Sequence, residues 1–157
     1  SKPNKLMLIL NPMFEYNQHG ENLSEEALEE LSAWGKKSMV YLNAGFVELR
    51  RQGGNHIDKP VCKAATTTLV ISPENKLILP CYHLGEKELE INGNLEEVYY
   101  SSEAEDIKKM EGRLPACEGC VINCYMQPSF AVEVNRYWFK ALPSTLKYSW
   151  EKRMWRR

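Results

Sequence analysis

Apolar and polar positions follow two different grammars along this chain. Residues Lys5 to Leu10 (KLMLIL) form a short apolar run that stops at Asn11-Pro12. Proline's locked φ and missing N–H end regular pairing there, so the run predicts a buried strand. After a polar loop through Asn22, Ser24 opens a helix, with Glu25 and Glu26 in its electropositive first turn. Ala27, Leu28, Leu31 and Trp34 give that helix one apolar face, and Gly35 is a natural stop. Met39 to Asn43 predicts a second strand, and Ala44 to Arg51 a second helix ending at Gly53-Gly54. The order strand, helix, strand, helix predicts βα units around a parallel sheet. Two such units cannot close a barrel or cover both faces of a sheet. This portion therefore completes something larger or packs on the rest of the chain.

After Pro60 the pattern changes. Thr66 to Ser72 (TTTLVIS) is β-rich, Pro73 to Lys76 is a turn signal, and Leu77-Ile78-Leu79 returns as a strand, which together predict a β-hairpin. Residues 85–100 are mixed, with a turn at Gly93-Asn94. Ser102 and Glu105 fit a capping box for a helix running to Glu111, with Gly112 as its stop. A boundary is expected near residues 54–61.

Composition narrows the class. The chain has 157 residues, and 20 Lys and Arg against 21 Asp and Glu leave a net charge of −1. That balance excludes a generally basic nucleic-acid binder. With 43% hydrophobic and 26% charged residues, the chain reads as folded rather than disordered. No apolar run approaches the ~18 residues of a membrane span. Ser1-Lys2-Pro3-Asn4 does not read as the start of a signal peptide, so a cytoplasmic setting is expected.

The five cysteines then change the picture. An odd count argues against a fully paired disulfide scaffold. Cys62 and Cys81 bracket the predicted hairpin. Cys117-Glu118-Gly119-Cys120 is a CxxC knuckle, with Gly119 permitting a tight turn, and Cys124 follows four residues later. Two thiolates from a hairpin and two from a knuckle make a site suited to tetrahedral zinc or an iron–sulfur cluster, which sulfur-only ligation does not separate. A redox dithiol at Cys117 and Cys120 is a weaker reading, because the knuckle does not follow a strand that opens a long helix.

Taken in order, Cys62, TTTLVIS-PENK-LIL, the Pro80-Cys81 pair, the helix from Ser102 and LPACEGCVINCY resemble the C-terminal region of radical S-adenosylmethionine enzymes. The likeness is to the auxiliary-cluster lobe called the Twitch domain, a shortened SPASM domain. It is stronger after residue 60 than before. It implies an α/β fold: closing βα units of a partial TIM-like barrel over residues 1–60, then a small α+β cysteine-rich lobe over 61–130 with a β-hairpin and short helices. It also implies that Cys62, Cys81, Cys117 and Cys120 hold an auxiliary [4Fe–4S] cluster, for electron transfer or substrate positioning. Cys124 is a fifth candidate ligand, and His83 is more readily a hydrogen-bonding residue than a ligand. The family's catalytic CxxxCxxC motif is absent, since Cys117, Cys120 and Cys124 run in the reverse spacing. The chain alone is thus not expected to be catalytic. S-adenosylmethionine and a second cluster belong to an intact parent. The implied partners are the missing barrel portion or a radical SAM subunit, and a reductant protein; the implied substrate is open. A zinc-stabilised interaction module without redox function is the alternative.

Asn11 and Asn43 follow the two predicted strands. In barrel-like folds that end carries the site, which makes both candidates for contacting cofactor or substrate, against the plainer reading of turn-forming asparagines. In the tail, residues 131–157, Leu146, Trp150 and Met154 recur every four positions after Pro143, among Lys147, Lys152, Arg153, Arg156 and Arg157. A basic amphipathic helix of this kind lies on an anionic membrane, docks on a partner or packs on its own barrel. The period favours packing on the barrel. Three of the four tryptophans lie in this tail, which keeps a membrane-peripheral reading open.

Overall fold

Two small sheets and seven helices make up the computed structural model, which describes residues 6–13 and 23–153. Strand β1 (Leu8–Ile9) pairs in parallel with β2 (Val40–Tyr41), in the register Leu8 to Val40 and Ile9 to Tyr41. Helix α1 (Glu25–Gly35) makes the crossover, and α2 (Ala44–Arg51) follows β2. The βαβα order expected from the sequence is therefore present. Ser24 caps α1, its Oγ accepting from the Ala27 N–H at 3.3 Å. Gly35 is the last residue of α1, where a side chain would press on Leu42.

Two expectations for this part need correction. The strand predicted from Lys5 is not buried. Lys5 lies outside the described residues, as does the predicted loop from residue 14 to Asn22, and Leu8 and Ile9 are both exposed. Leu42, Leu28 and Val47 pack with Leu10, Leu23 and Leu31, a cluster that does not include Leu8 or Ile9 of β1. Of the predicted apolar face of α1, only Leu28 is buried, while Trp34 is 41% exposed beneath the Lys37 ammonium, 3.4 Å from its ring centre.

The hairpin is also different from the prediction. Residues 64–67 form a helical turn, α3 (Ala64–Thr67), not a strand. Its start is fixed by the Lys63 carbonyl, which accepts from the Thr66 and Thr67 N–H groups. The Glu111 carboxylate then takes the Thr66 N–H at 3.1 Å and its hydroxyl at 2.9 Å. Strand β3 (Lys76–Leu79) keeps a single bridge, Ile71 to Leu77, with the segment before the turn, and its full partner is β4 (Lys87–Glu90), antiparallel, which the sequence did not single out. Two short helices cover this sheet, α4 (Leu95–Tyr99) and α5 (Ser102–Lys108). Their caps are Asn94 and Ser101; the capping residue of α5 is thus one position before the predicted Ser102.

Burial pushes the Glu111 carboxyl above the usual carboxylate range, despite the two bonds from Thr66. Between the ordinary and the raised pKa the folded protein holds more protons than the unfolded one. Its ionisation therefore lowers stability as pH rises through that window. Urea titrations across acid to neutral pH should show this fall, and Glu111→Gln should show less of it; parallel profiles for the two proteins would refute the assignment.

Helices α6 (Asn123–Val132) and α7 (Arg136–Arg153) complete the structure. One core joins the expected α/β portion to the cysteine lobe: Phe46 and Leu49 of α2 pack with Cys62, Ala64, Cys81, Val121, Tyr125, Met126, Phe130 and Tyr137. The boundary expected near residue 60 thus runs through a shared core. Helix α7 lies along α2, where a side chain at Gly45 would meet the Tyr137 carbonyl oxygen at 2.6 Å. Arg136 pairs with the buried Glu48 across this contact.

The expected packing of the tail through Leu146 and Trp150 is overturned, since both are exposed, and Met154 lies outside the described residues. Tyr137 and Ala141 face α2 instead, and the Lys147 ammonium on the same side reaches the Gly35, Lys37 and Val40 carbonyl oxygens at 2.8, 2.5 and 2.9 Å. Close approach at Gly45 and three carbonyl acceptors select that face over the more apolar one. Among the described residues, no helix is long and apolar enough to cross a membrane.

Candidate metal centre

Past the end of α2, Gly54 turns the chain with φ at +94° and delivers Asn55 into the interior, where it is fully buried. The Asn55 carboxamide oxygen accepts from the Val61 and Cys62 N–H groups at 2.9 and 3.1 Å. Its amide nitrogen donates to the Gly112 and Cys117 carbonyl oxygens at 2.8 and 3.1 Å. The Asn55 main chain completes the set, donating to the Cys120 carbonyl at 3.0 Å and accepting from the Gly119 N–H at 2.8 Å. One side chain and its peptide thereby tie the Cys62 segment to both ends of the knuckle.

Close approaches reinforce this tether. A Cβ at Gly54 would lie 2.4 Å from the Gly119 carbonyl oxygen, and one at Gly112 would lie 3.1 Å from the Cys62 Cβ. A second clamp closes the outside of the knuckle, where the Glu118 carboxylate takes the Ile57 N–H at 2.8 Å and sits 2.9 Å from His56 Nδ1. That hydrogen bond to Glu118 raises the His56 pKa. Cys81 enters from β3. Beside it, the Tyr82 N–H donates to the Tyr125 hydroxyl at 3.0 Å, and the His83 ring stands edge-on to Tyr125 at 5.7 Å. Burial lowers the His83 pKa, which favours the neutral ring.

All five cysteines are free thiols; Cys62, Cys81 and Cys117 are buried, Cys120 is half-buried and Cys124 is exposed. Burial pushes every one of them above the ordinary thiol range, Cys120 to about 11. Negative charge on Cys120, Cys117 or Cys81 would further raise Cys62, so these four sulfurs share one electrostatic neighbourhood. Cys124, at the start of α6, is influenced in the same way by Cys81.

Backbone N–H groups oppose the burial. The Ala64 amide favours a thiolate at Cys62, those of Leu84 and His83 at Cys81, those of Leu114 and Gly112 at Cys117, and that of Ile122 at Cys120. Three of these donors, Ala64, His83 and Ile122, stand two residues after their cysteine, so each chain turn presents its own amide to its own sulfur. Neutral thiols with opposing amides suit a site where deprotonation accompanies metal binding. They do not suit a redox dithiol, which needs a depressed pKa.

Among the described residues, no three His, Cys, Asp or Glu side chains converge tightly enough to hold a metal ion as they stand. The comparisons with known proteins add nothing to this geometry. No family model, no curated protein and no solved structure matches the chain.

The structure separates the two predicted asparagines. Asn43 is buried and caps α2, its Oδ1 accepting from Gly45 and Phe46 N–H groups at 2.9 and 3.2 Å. This is the role of a helix-capping residue. Asn11 is exposed after β1 and its Oδ1 accepts from Asn123 Nδ2 at 2.6 Å. Two polar atoms near this strand end are buried without a hydrogen-bond partner among the described residues, Asn123 Oδ1 and Arg50 Nε; Arg50 Nη2 donates to the Met13 carbonyl. Asn55 and Arg50 were not singled out from the sequence. A GGN segment after a helix reads only as a turn, and an arginine ending a helix reads as a solvated charge.

Proposed function

We propose that this chain is an auxiliary-cluster portion of a radical S-adenosylmethionine enzyme, with Cys62, Cys81, Cys117 and Cys120 as ligands of a [4Fe–4S] cluster. The observation that carries the reading is the Asn55 tether, which brings the Cys62 segment and the knuckle together. The donor chemistry fits as well: four sulfurs in one neighbourhood, most of them buried, each with a backbone amide that favours its thiolate. When bound, such a cluster supplies one-electron transfer or, with one iron left open, a handle for substrate.

The protein's own contribution is exclusion of water and tuning. Phe46, Leu49, Tyr125 and Phe130 pack with Cys62, Cys81 and Cys120 in one apolar core, and the amides of Ala64, His83, Leu84 and Ile122 stabilise negative charge on sulfur. Cys124, exposed at the start of α6, is assigned no ligand role in the cluster.

Open β1 supports the remaining part of the reading. Parallel sheets are nearly always covered on both faces, yet Leu6, Leu8, Ile9 and Met13 are exposed around this strand. Further barrel strands, in the same polypeptide or a partner subunit, would cover them and bring the CxxxCxxC cluster and S-adenosylmethionine. Asn11, and Arg50 Nε and Asn123 Oδ1, which have no partner among the described residues, then lie at the strand end where such a barrel binds its ligands.

Anaerobic reconstitution with iron and sulfide tests the cluster directly. The expected result is a brown protein with broad visible absorbance and close to four irons per chain, the count of a [4Fe–4S] centre. Alanine at Cys62, Cys81, Cys117 or Cys120 should lower the iron content sharply, and alanine at Cys124 should not. A colourless protein holding stoichiometric zinc would establish the structural-zinc alternative instead.

A further inference from the structure

Helix α7 is apolar on two opposite sides. One side, with Tyr137 and Ala141, is buried on α2. The same side continues through Ser144, whose hydroxyl takes the Ala44 N–H at 3.3 Å, and Tyr148, whose ring lies 4.9 Å from that of Tyr41. It ends at Glu151, which takes the Met39 N–H at 3.1 Å. On the other side, Phe139, Leu142, Leu146 and Trp150 follow at spacings of three, four and four residues. They form one stripe along the helix, and their exposures are 62%, 36%, 60% and 68%. A solvent-facing stripe of two aromatic and two leucine side chains is not what a lone surface helix needs for folding, because α7 already buries its opposite face.

The charges around the stripe identify its occupant. Glu151 is the only acidic residue in Arg136–Arg153, and its carboxylate is turned inward to Met39. Lys140, Lys152 and Arg153 have no acidic partner among the described residues, and the sequence goes on with Trp155, Arg156 and Arg157. The chain as a whole carries a net charge of −1, so this helix is a local excess of positive charge. A second copy of the same face would bring like charges together. An anionic surface would complement them, with leucine and aromatic side chains entering the acyl boundary and the long cationic side chains reaching up to headgroups.

We propose that the Phe139–Trp150 stripe of α7 seats this protein on an anionic lipid bilayer, lying in the interface plane. Seating there leaves the buried side of α7 on α2. The inference is independent of what the cysteines hold.

Co-sedimentation of the full chain with vesicles tests it. Vesicles of phosphatidylcholine mixed with phosphatidylglycerol should bind the protein, with affinity falling as salt is raised, and pure phosphatidylcholine should bind it far less. The double variant Leu146→Ser/Trp150→Ser should lose most binding while keeping its far-ultraviolet circular dichroism, since neither side chain is in the core. Lys152→Glu/Arg153→Glu should weaken binding to the anionic vesicles by roughly tenfold or more. Equal binding to neutral and anionic vesicles, or binding that neither double variant disturbs, would overturn the proposal. So would a dimer, seen by light scattering and abolished by Leu146→Ser/Trp150→Ser, in a protein that ignores vesicles.

Discussion

Replacing Asn55 by alanine should cost this protein a large share of its stability. Its side chain makes four hydrogen bonds, all to backbone groups: two N–H donors at Val61 and Cys62, two carbonyls at Gly112 and Cys117. Asn55 itself is 0% exposed, so the four partners are left facing a hole. A buried polar group left without a partner costs about 1–3 kcal/mol, and water entering the hole recovers part of that. The expected loss is about 4 kcal/mol or more, a large share of the roughly 5–15 kcal/mol that holds an ordinary domain together. Urea unfolding followed by circular dichroism measures it. Asn55→Asp sharpens the test, because it keeps the acceptor for Val61 and Cys62 but turns an oxygen toward two carbonyls. It should be destabilised as well. A loss below about 1 kcal/mol for Asn55→Ala would mean that the cysteine segments meet without this tether.

The second large effect is expected at Gly54. Alanine there would be forced into the left-handed region at φ +94°, and its Cβ would stand 2.4 Å from the Gly119 carbonyl oxygen and 3.0 Å from that of Cys120. Both obstacles are backbone, so neither can swing aside. The left-handed conformation alone costs about 1–2 kcal/mol for a residue with a side chain, and the overlap adds to it by pushing the knuckle off Asn55. Gly54→Ala should therefore lower stability by about 3 kcal/mol and, where iron is bound, reduce the iron retained per chain. Gly93→Ala is the natural comparison. Its φ is +95°, but nothing lies within 4 Å of the added Cβ, so only the conformational cost applies. Equal losses for the two variants would remove steric contact with the knuckle from the explanation.

Of these two residues the sequence pattern passes over Asn55 and reads Gly54 only as part of a helix stop. Ser24 and α1 were legible because a capping hydroxyl and its helix are neighbours in the chain, and the same holds for α2 and its stop at Gly53-Gly54. The strand expected over residues 66–72 was misread because Thr and Val favour a pleated surface only when a partner strand is present. Here Glu111, more than forty residues away, takes the Thr66 amide and hydroxyl; only residues 70–72 still pair with β3, whose other edge takes β4. The burial expected of β1 failed for a related reason: an apolar run shows that a segment can be covered, not that a cover is present.

Cysteine identity and spacing, the βα order of the first fifty residues and the stops at glycine are local properties, set by covalent geometry and short-range hydrogen bonding, and they could be read residue by residue. The approach of the Cys62 segment to the knuckle is a different kind of property. It depends on one buried carboxamide satisfying four backbone groups, two of them more than fifty residues away, and on two glycines that let the chain segments pass closely enough for it to do so. The choice between the two apolar sides of α7 is of that same kind: Gly45 and the carbonyls that receive Lys147 decided which side faces inward. Only three-dimensional contact assigns such partners, because the free energy of a buried hydrogen bond or a close approach belongs to the pair and is not carried by either residue alone.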